Sequence, residues 1–141
     1  MKKVILLIPV FCALAIDTQA NSDPMYTIGP MVNYNFFSKK FTLGVEGALY
    51  GGIFPDGTSI DFGMEWERGK FRLYSEYQGG IILAGISAGP CLEINNSLPS
   101  KLYFQTTAWA NFFFGLDYRF RYNPTEKHNY VGGYFKYFNS R

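Results

Sequence analysis

The chain has 141 residues, 48% of them hydrophobic and 19% aromatic but only 17% charged, against roughly 25% charged in an ordinary soluble domain. Fifteen glycines, fourteen phenylalanines and eleven tyrosines, with no long apolar run after residue 20, exclude both a helical membrane protein and a disordered tail. What remains is one small, aromatic, glycine-rich, all-β domain.

The first twenty residues stand apart. Lys2 and Lys3 make a positive start, Val4 to Ile16 an apolar core interrupted only by Pro9, and Thr18-Gln19-Ala20 puts small residues where a signal peptidase reads. Residues 1–20 are therefore expected to be a signal peptide and residues 21–141 a single exported domain. Lipid attachment at Cys12 fits less well, because Pro9-Val10-Phe11 before it are not small. Without Cys12, Cys91 has no partner for an internal disulfide. Exported domains of this size usually need such staples, so another environment must hold this one together. Without Lys2, Lys3 and Asp17, 11 basic and 10 acidic side chains remain, with no basic run to track a phosphate backbone. Nucleic acid is not an expected partner.

From residue 26 onward the sequence alternates with period two over eight segments, the signature of half-buried strands. Tyr26, Ile28, Pro30, Val32, Tyr34 and Phe36 alternate with Thr27, Gly29, Met31, Asn33 and Asn35. Phe41, Leu43, Val45 and Leu49 oppose Thr42, Gly44, Glu46 and Ala48. In the third segment Ile60, Phe62, Met64 and Trp66 oppose Ser59, Asp61, Gly63 and Glu65, and in the fourth Phe71, Leu73 and Tyr77 oppose Arg72, Tyr74, Glu76 and Gln78. Segments at 82–95, 102–109, 112–122 and 130–138 complete eight expected strands.

The connections carry turn signals. Polar runs at 37–40, 67–70, 95–101 and 123–129 fall at one end. Pro55-Asp56-Gly57, Gly79-Gly80 and Ala110-Asn111 fall at the other. An even number of strands with charged loops at one end and tighter turns at the other is the pattern of an eight-stranded, antiparallel, up-and-down transmembrane β-barrel. Strands of nine to eleven residues, tilted about 45°, cross a bilayer.

Alternation alone does not say which face is outside, since a soluble lipocalin-like barrel has the same period with its apolar face inward. The polar face decides. It interleaves Gly29, Gly44, Gly63, Gly85, Gly89 and Gly115 with Glu46, Asp61, Glu65, Arg72, Glu76, Glu93, Asp117, Arg119 and Lys136. Small residues beside opposite charges suit a crowded lumen, which eight strands make just wide enough for side chains. Charges there must pair. Arg121 shares the parity, giving six acids against four bases, so one carboxylate is expected to be protonated or hydrated. A salt-bridged plug fits so narrow a bore better than a cation conduit. On the apolar face aromatics gather near segment ends, at Tyr26, Phe36, Phe41, Trp66, Phe71, Phe112, Tyr122 and Tyr137, with Val32, Val45 and Met64 nearer the middle, as interfacial girdles flank an apolar band.

With its signal peptide, eight-strand meander and glycines followed by spaced aromatics, the chain resembles the small, porin-like outer-membrane β-barrel proteins of Gram-negative bacteria. Gly115-Leu116-Asp117-Tyr118-Arg119-Phe120 resembles a terminal strand of that group, and Gly132-Gly133-Tyr134-Phe135-Lys136-Tyr137-Phe138 the carboxy-terminal signal read by the barrel-insertion machinery. The resemblance covers residues 26–138. It implies an outer-membrane location and contact with that machinery and with membrane lipid. One departure is that Asn139-Ser140-Arg141 follow the aromatic end such strands usually have.

Chemistry is scarce. His128, the single histidine, falls in the polar run 123–129 and is expected to be solvated; catalysis would need it to meet Ser38 or another loop serine, with Glu126 or Glu67 orienting it. No metal site is expected from one histidine and one cysteine on separate elements, nor any cofactor. Cys91 shares the lumen parity and is expected to be a small space-filler. At the charged loops Lys39, Lys40, Arg68, Lys70, Lys101 and Lys127 outnumber Glu67 and Glu126, a basic rim suited to lipid phosphates, lipopolysaccharide included. The leading reading is thus a non-enzymatic outer-membrane barrel with a filled lumen, structural or surface-interacting. The alternatives are a lipid-modifying barrel enzyme and a soluble carrier of a small apolar ligand.

Overall fold

The computed structural model describes residues 25–51, 57–81, 83–111 and 114–139. The expected signal peptide with Cys12, and the residues Pro55, Asp56, Phe112, Ser140 and Arg141, lie outside them. The strands are β1 (Met25–Asn35), β2 (Lys40–Tyr50), β3 (Thr58–Glu67), β4 (Lys70–Ile81), β5 (Ala84–Asn95), β6 (Lys101–Asn111), β7 (Gly115–Tyr122), β8 (Lys127–Tyr134) and β9 (Tyr137–Asn139). Strands β1 to β8 each pair antiparallel with their neighbours in sequence, and β1 pairs with both β2 and β8, which closes the sheet. Strand β9 continues β8 along β1 in the same register, so the barrel has eight staves.

Pairing followed around the ring runs Met25, Tyr50, Ser59, Gln78, Ser87, Thr107, Arg119, Tyr130 and back to β1 at Asn35. The circuit returns ten residues further along β1 than it started. At standard strand spacings that stagger tilts the strands by about 40°, the inclination of membrane-spanning barrels.

The break between β8 and β9 has a local cause. Pro30 stands opposite and cannot donate to the ladder, although its carbonyl still accepts from Phe135 N at 3.1 Å. Beside it, Gly29 lets the facing backbone come so near that an added Cβ would lie 1.6 Å from the Phe135 carbonyl oxygen. The same dipeptide recurs as Gly89-Pro90 in β5, where the β4–β5 pairing skips Ser75 and Glu76 and a Cβ on Gly89 would lie 1.9 Å from Ser75 O. Strands β1 and β5 are diametrically opposed. Two facing Gly-Pro corners thus bend the sheet on opposite sides, the device by which small barrels close.

Alternation places the polar face inside. Thr27, Asn33, Glu46, Asp61, Glu65, Arg72, Glu76, Glu93, Asp117, Arg119 and Arg121 are buried, while Ile28, Leu43, Phe62, Met64, Trp66 and Phe104 are exposed on the outer wall. Phe36, Phe41, Trp66, Phe71 and Tyr122 ring the loop end, with Tyr34 edge-on to Phe36 and Phe41 at 5.3 and 5.2 Å. Tyr26, Phe114, Phe135 and Tyr137 mark the other end.

Three connections depart from expectation. Gly79 and Gly80 do not turn the chain but pair with Ile86 and Gly85 inside the sheet. Gly80 and Gly85 are there to seat the Trp109 indole, which a Cβ would meet at 3.0 and 2.4 Å. Ala110 and Asn111 likewise do not stand outside the sheet but pair with Leu116 and Gly115 at the end of β6. Strand β8 starts at Lys127 and not Tyr130, because Asn123 Oδ1 accepts the backbone N–H groups of Thr125 and Glu126 at 2.9 and 2.7 Å and folds the loop into a tight Asx turn.

Candidate functional site

The lumen holds the chemistry of this molecule. Lys70 on β4 lies 3.4 Å from Glu93 on β5, whose other oxygen receives Arg72 Nε at 2.7 Å. Arg72 Nη1 faces Glu65 on β3 at 3.9 Å, and Glu65 takes Arg119 Nη1 from β7 at 3.1 Å. Arg119 Nη2 reaches Glu46 on β2 at 2.6 Å; Glu46 takes Lys136 at 2.5 Å, and Lys136 continues to Asp61 at 3.2 Å. Eight groups of alternating sign thus run from the loop mouth to the mouth at the chain termini. Opposite charges at these separations in a dry interior hold one another strongly, and each is too costly to leave unpaired there.

Branches fix the ladder to the wall. Glu67 accepts from Arg72 Nη2 at 2.9 Å and from Asn35 at 3.3 Å. Arg121 donates to Glu65 at 2.6 Å and also to Gln105. Asp117 Oδ2 takes both Arg119 Nε and Nη2, at 3.0 and 2.7 Å. The hydroxyl of Tyr74 lies between Arg119, which donates to it at 2.6 Å, and Glu46, to which it donates. Guanidinium faces left over lie on aromatic rings: Arg121 is 4.3 Å from the Tyr130 centroid and Arg119 4.9 Å from that of Tyr74. Glycines make the room, since a Cβ on Gly63 would lie 2.1 Å from the Tyr74 ring and one on Gly115 equally near that of Tyr134.

The structure thus brings Glu46, Asp61, Glu65, Arg72, Glu93, Asp117, Arg119 and Lys136 into one network. Glu76 stands apart: its partner is the Thr107 hydroxyl, which donates at 2.8 and 3.1 Å, and no cation lies within ion-pair distance among the described residues. Toward the termini a cavity of about 10 Å³ among Glu76, Asp117, Trp109 and Lys136 has room for one water. Cys91 is fully buried beside Tyr74 and Tyr103.

Two expectations at the rim are corrected. Glu67 is buried at 1% exposure and belongs to the lumen, because it falls on the inward parity of β3. His128 is likewise not solvated: the Asx turn starts β8 early and leaves the imidazole 2% exposed, between Phe37, Tyr103 and Tyr130. Its Nε2 is 3.2 Å from Glu126, so a carboxylate does stand at the histidine. No serine hydroxyl is hydrogen-bonded to the ring among the described residues. Glu126 also takes Lys101 and, at 2.8 Å, the Tyr103 hydroxyl. These three donors hold its carboxyl down at about 2. Of the six rim bases, Lys70 and Lys101 therefore serve carboxylates. Lys39, Lys40, Arg68 and Lys127 are exposed, Lys127 lying 5.9 Å over the Tyr122 ring.

Parity in the sequence already carried several of the residues not singled out from it: Tyr74 and Gln78 share a face with Arg72 and Glu76. That Tyr74 would bridge Arg119 and Glu46 needed the closed ring, because its partners come from strands on other sides of the bore.

Closed, eight-stranded, apolar outside and ionic inside, the fold is that of a membrane β-barrel. A designed transmembrane β-barrel of known structure is similar, with a TM-score of 0.54 and 14% identity over 84% of this chain and 100% of the designed one. No protein-family model matches the chain, and no curated protein matches it.

Proposed function

We propose that the protein is a non-enzymatic barrel of the Gram-negative outer membrane, structural or surface-interacting, with the loop end facing outward. The observation that carries this reading is the ionic ladder from Lys70 to Asp61 inside a wall whose outer face is apolar. A soluble carrier needs the reverse arrangement and a ligand cavity of roughly 300 Å³ or more, against about 10 Å³ in this lumen. Gly132 to Phe138, which pairs with β1 on both sides of the break between β8 and β9, would be the segment read by the barrel-insertion machinery. At the outer rim Lys39, Lys40, Arg68 and Lys127 are placed to meet lipopolysaccharide phosphates.

Fractionation tests the location: the protein should pellet with outer membranes and need detergent for release, and recovery in the soluble fraction would end this reading. Replacing Lys39, Lys40, Arg68 and Lys127 by glutamine should weaken lipopolysaccharide binding, most at low salt where screening is least. A second reading, lipid modification, draws on the Glu126–His128 contact. Loss of a lipid A modification in His128→Ala, with the barrel still inserted, would replace the non-enzymatic role.

A further inference from the structure

The outer wall is not uniformly bulky. On β6 the outward residues run Leu102, Phe104, Thr106, Ala108 and Ala110, large toward the loops and small toward the termini. Ala88 on β5 lies beside Thr106, while Tyr118 and Phe120 on β7 stand beside Ala108 and Thr106 as one bank and Tyr77 on β4 forms the other. The result is a groove of about 480 Å³ in the outer wall, within the size range of pockets that hold small organic ligands. None of its lining residues is charged.

We propose that this groove seats one acyl chain of a membrane lipid, entering from the leaflet on the side of the chain termini. The inference rests on the membrane reading above. On β6 the groove is lined at Thr106 and Ala108, with Ile86 of β5 beside Ala108, on the half of the strand nearer the chain termini. From Thr106 to Ala108 the strand advances about 7 Å, or about 5 Å along the membrane normal at the strand tilt, so the groove takes a segment of a chain within one leaflet of a roughly 30 Å core. The groove is continuous with the apolar wall that this reading turns toward lipid, so hydrocarbon is the medium at its edge. A second copy of the chain fits less well: ten residues line the groove, against twenty to thirty per side of a stable protein interface.

The test places a tryptophan at the bank, Phe120→Trp, and another on the far wall, Val45→Trp, in barrels held in dodecylphosphocholine micelles, each read as the difference from the wild-type barrel, whose Trp66 and Trp109 set the background. A small mole fraction of phosphatidylcholine brominated on its acyl chains is the quencher. Quenching at position 120 should exceed that at position 45 several-fold, and adding Ala88→Phe and Ala108→Phe should erase the difference. Equal quenching at the two positions would overturn the proposal, as would a wild-type dimer in the same micelles that the two phenylalanines convert to monomer. Insertion of the wild-type barrel into phosphatidylcholine vesicles, scored separately, keeps the two readings apart. An inserted barrel without preferential quenching defeats the groove alone, whereas failure to insert defeats the membrane reading itself.

Discussion

Glu65 on β3 and Arg119 on β7 meet across the full width of the barrel, Oε1 to Nη1 at 3.1 Å, with three strands between them on either path round the ring. The same Glu65 oxygen takes Arg121 at 2.6 Å, and its second oxygen faces Arg72 at 3.9 Å. One carboxylate therefore offsets three guanidinium groups at the waist of the lumen. Glu65→Ala leaves Arg121 without a carboxylate, while Arg72 keeps Glu67 and Glu93 and Arg119 keeps Glu46 and Asp117; one stranded buried cation should cost roughly 3–5 kcal/mol. Urea unfolding from phosphatidylcholine vesicles measures it; a loss under about 1 kcal/mol, the value of an exposed pair, would mean that water reaches the waist.

Asp117 behaves differently, although it touches the same arginine. Considered as a lone pair, its removal would carry the same 3–5 kcal/mol. Arg119 keeps Glu46 and Glu65 when Asp117 is gone, and the acid-rich end of the lumen loses one of its negative charges. The expected cost of Asp117→Ala is therefore smaller, about 1.5–3 kcal/mol, as for hydrogen bonds to a charged group. Arg119→Met is the harsher change, since it leaves Asp117, Glu46 and Glu65 short of a cation together. Unfolding of the two variants side by side should rank them in that order.

How much of this was legible beforehand follows from what period-two alternation can carry. It sorts residues by face, and so Glu46, Arg72, Asp117 and Lys136 were assignable to one side without knowing their partners. Pairing across the bore depends on the ten-residue stagger, which no local pattern encodes. The misplaced turn at Gly79-Gly80 has the same origin: glycine signals a turn locally, but Gly80 answers to Trp109, two strands away. His128 was misjudged because a proline-containing polar run reads as a long loop, whereas Asn123 condenses it into four residues.

The two Gly-Pro corners should be the most sensitive backbone sites. Gly29→Val and Gly89→Val each push a side chain into a facing carbonyl oxygen, at 1.6 and 1.9 Å from the first added carbon, and no rotamer relieves a clash at Cβ. Both should prevent closure, read as failure to insert into vesicles that take up the wild type. Gly79→Ala is the control, since nothing lies within 4 Å of its added carbon. It should insert normally, with stability changed by less than about 1 kcal/mol. Normal closure of Gly29→Val would show that the corner is not needed.

Glu126 gives the rim its own dependence on pH. Lys101, Tyr103 and His128 all serve its carboxyl, which they hold at about 2 against an ordinary 4.5. A carboxyl whose folded value lies below its unfolded one stabilises the fold fully above about 4.5, and that contribution disappears as pH falls from there through about 2. The group is partly exposed, its side chain at 28%, so salt should weaken the effect. Lumen carboxylates also respond to acid, and the informative quantity is thus the difference between wild type and Glu126→Gln, measured as unfolding midpoints at pH 7 and pH 3. At pH 7 the variant should be the less stable of the two, and at pH 3 the gap should narrow, more clearly at low ionic strength. A gap that stays constant between those values would mean that Glu126 acts through shape alone and that its three donors do not depend on its charge.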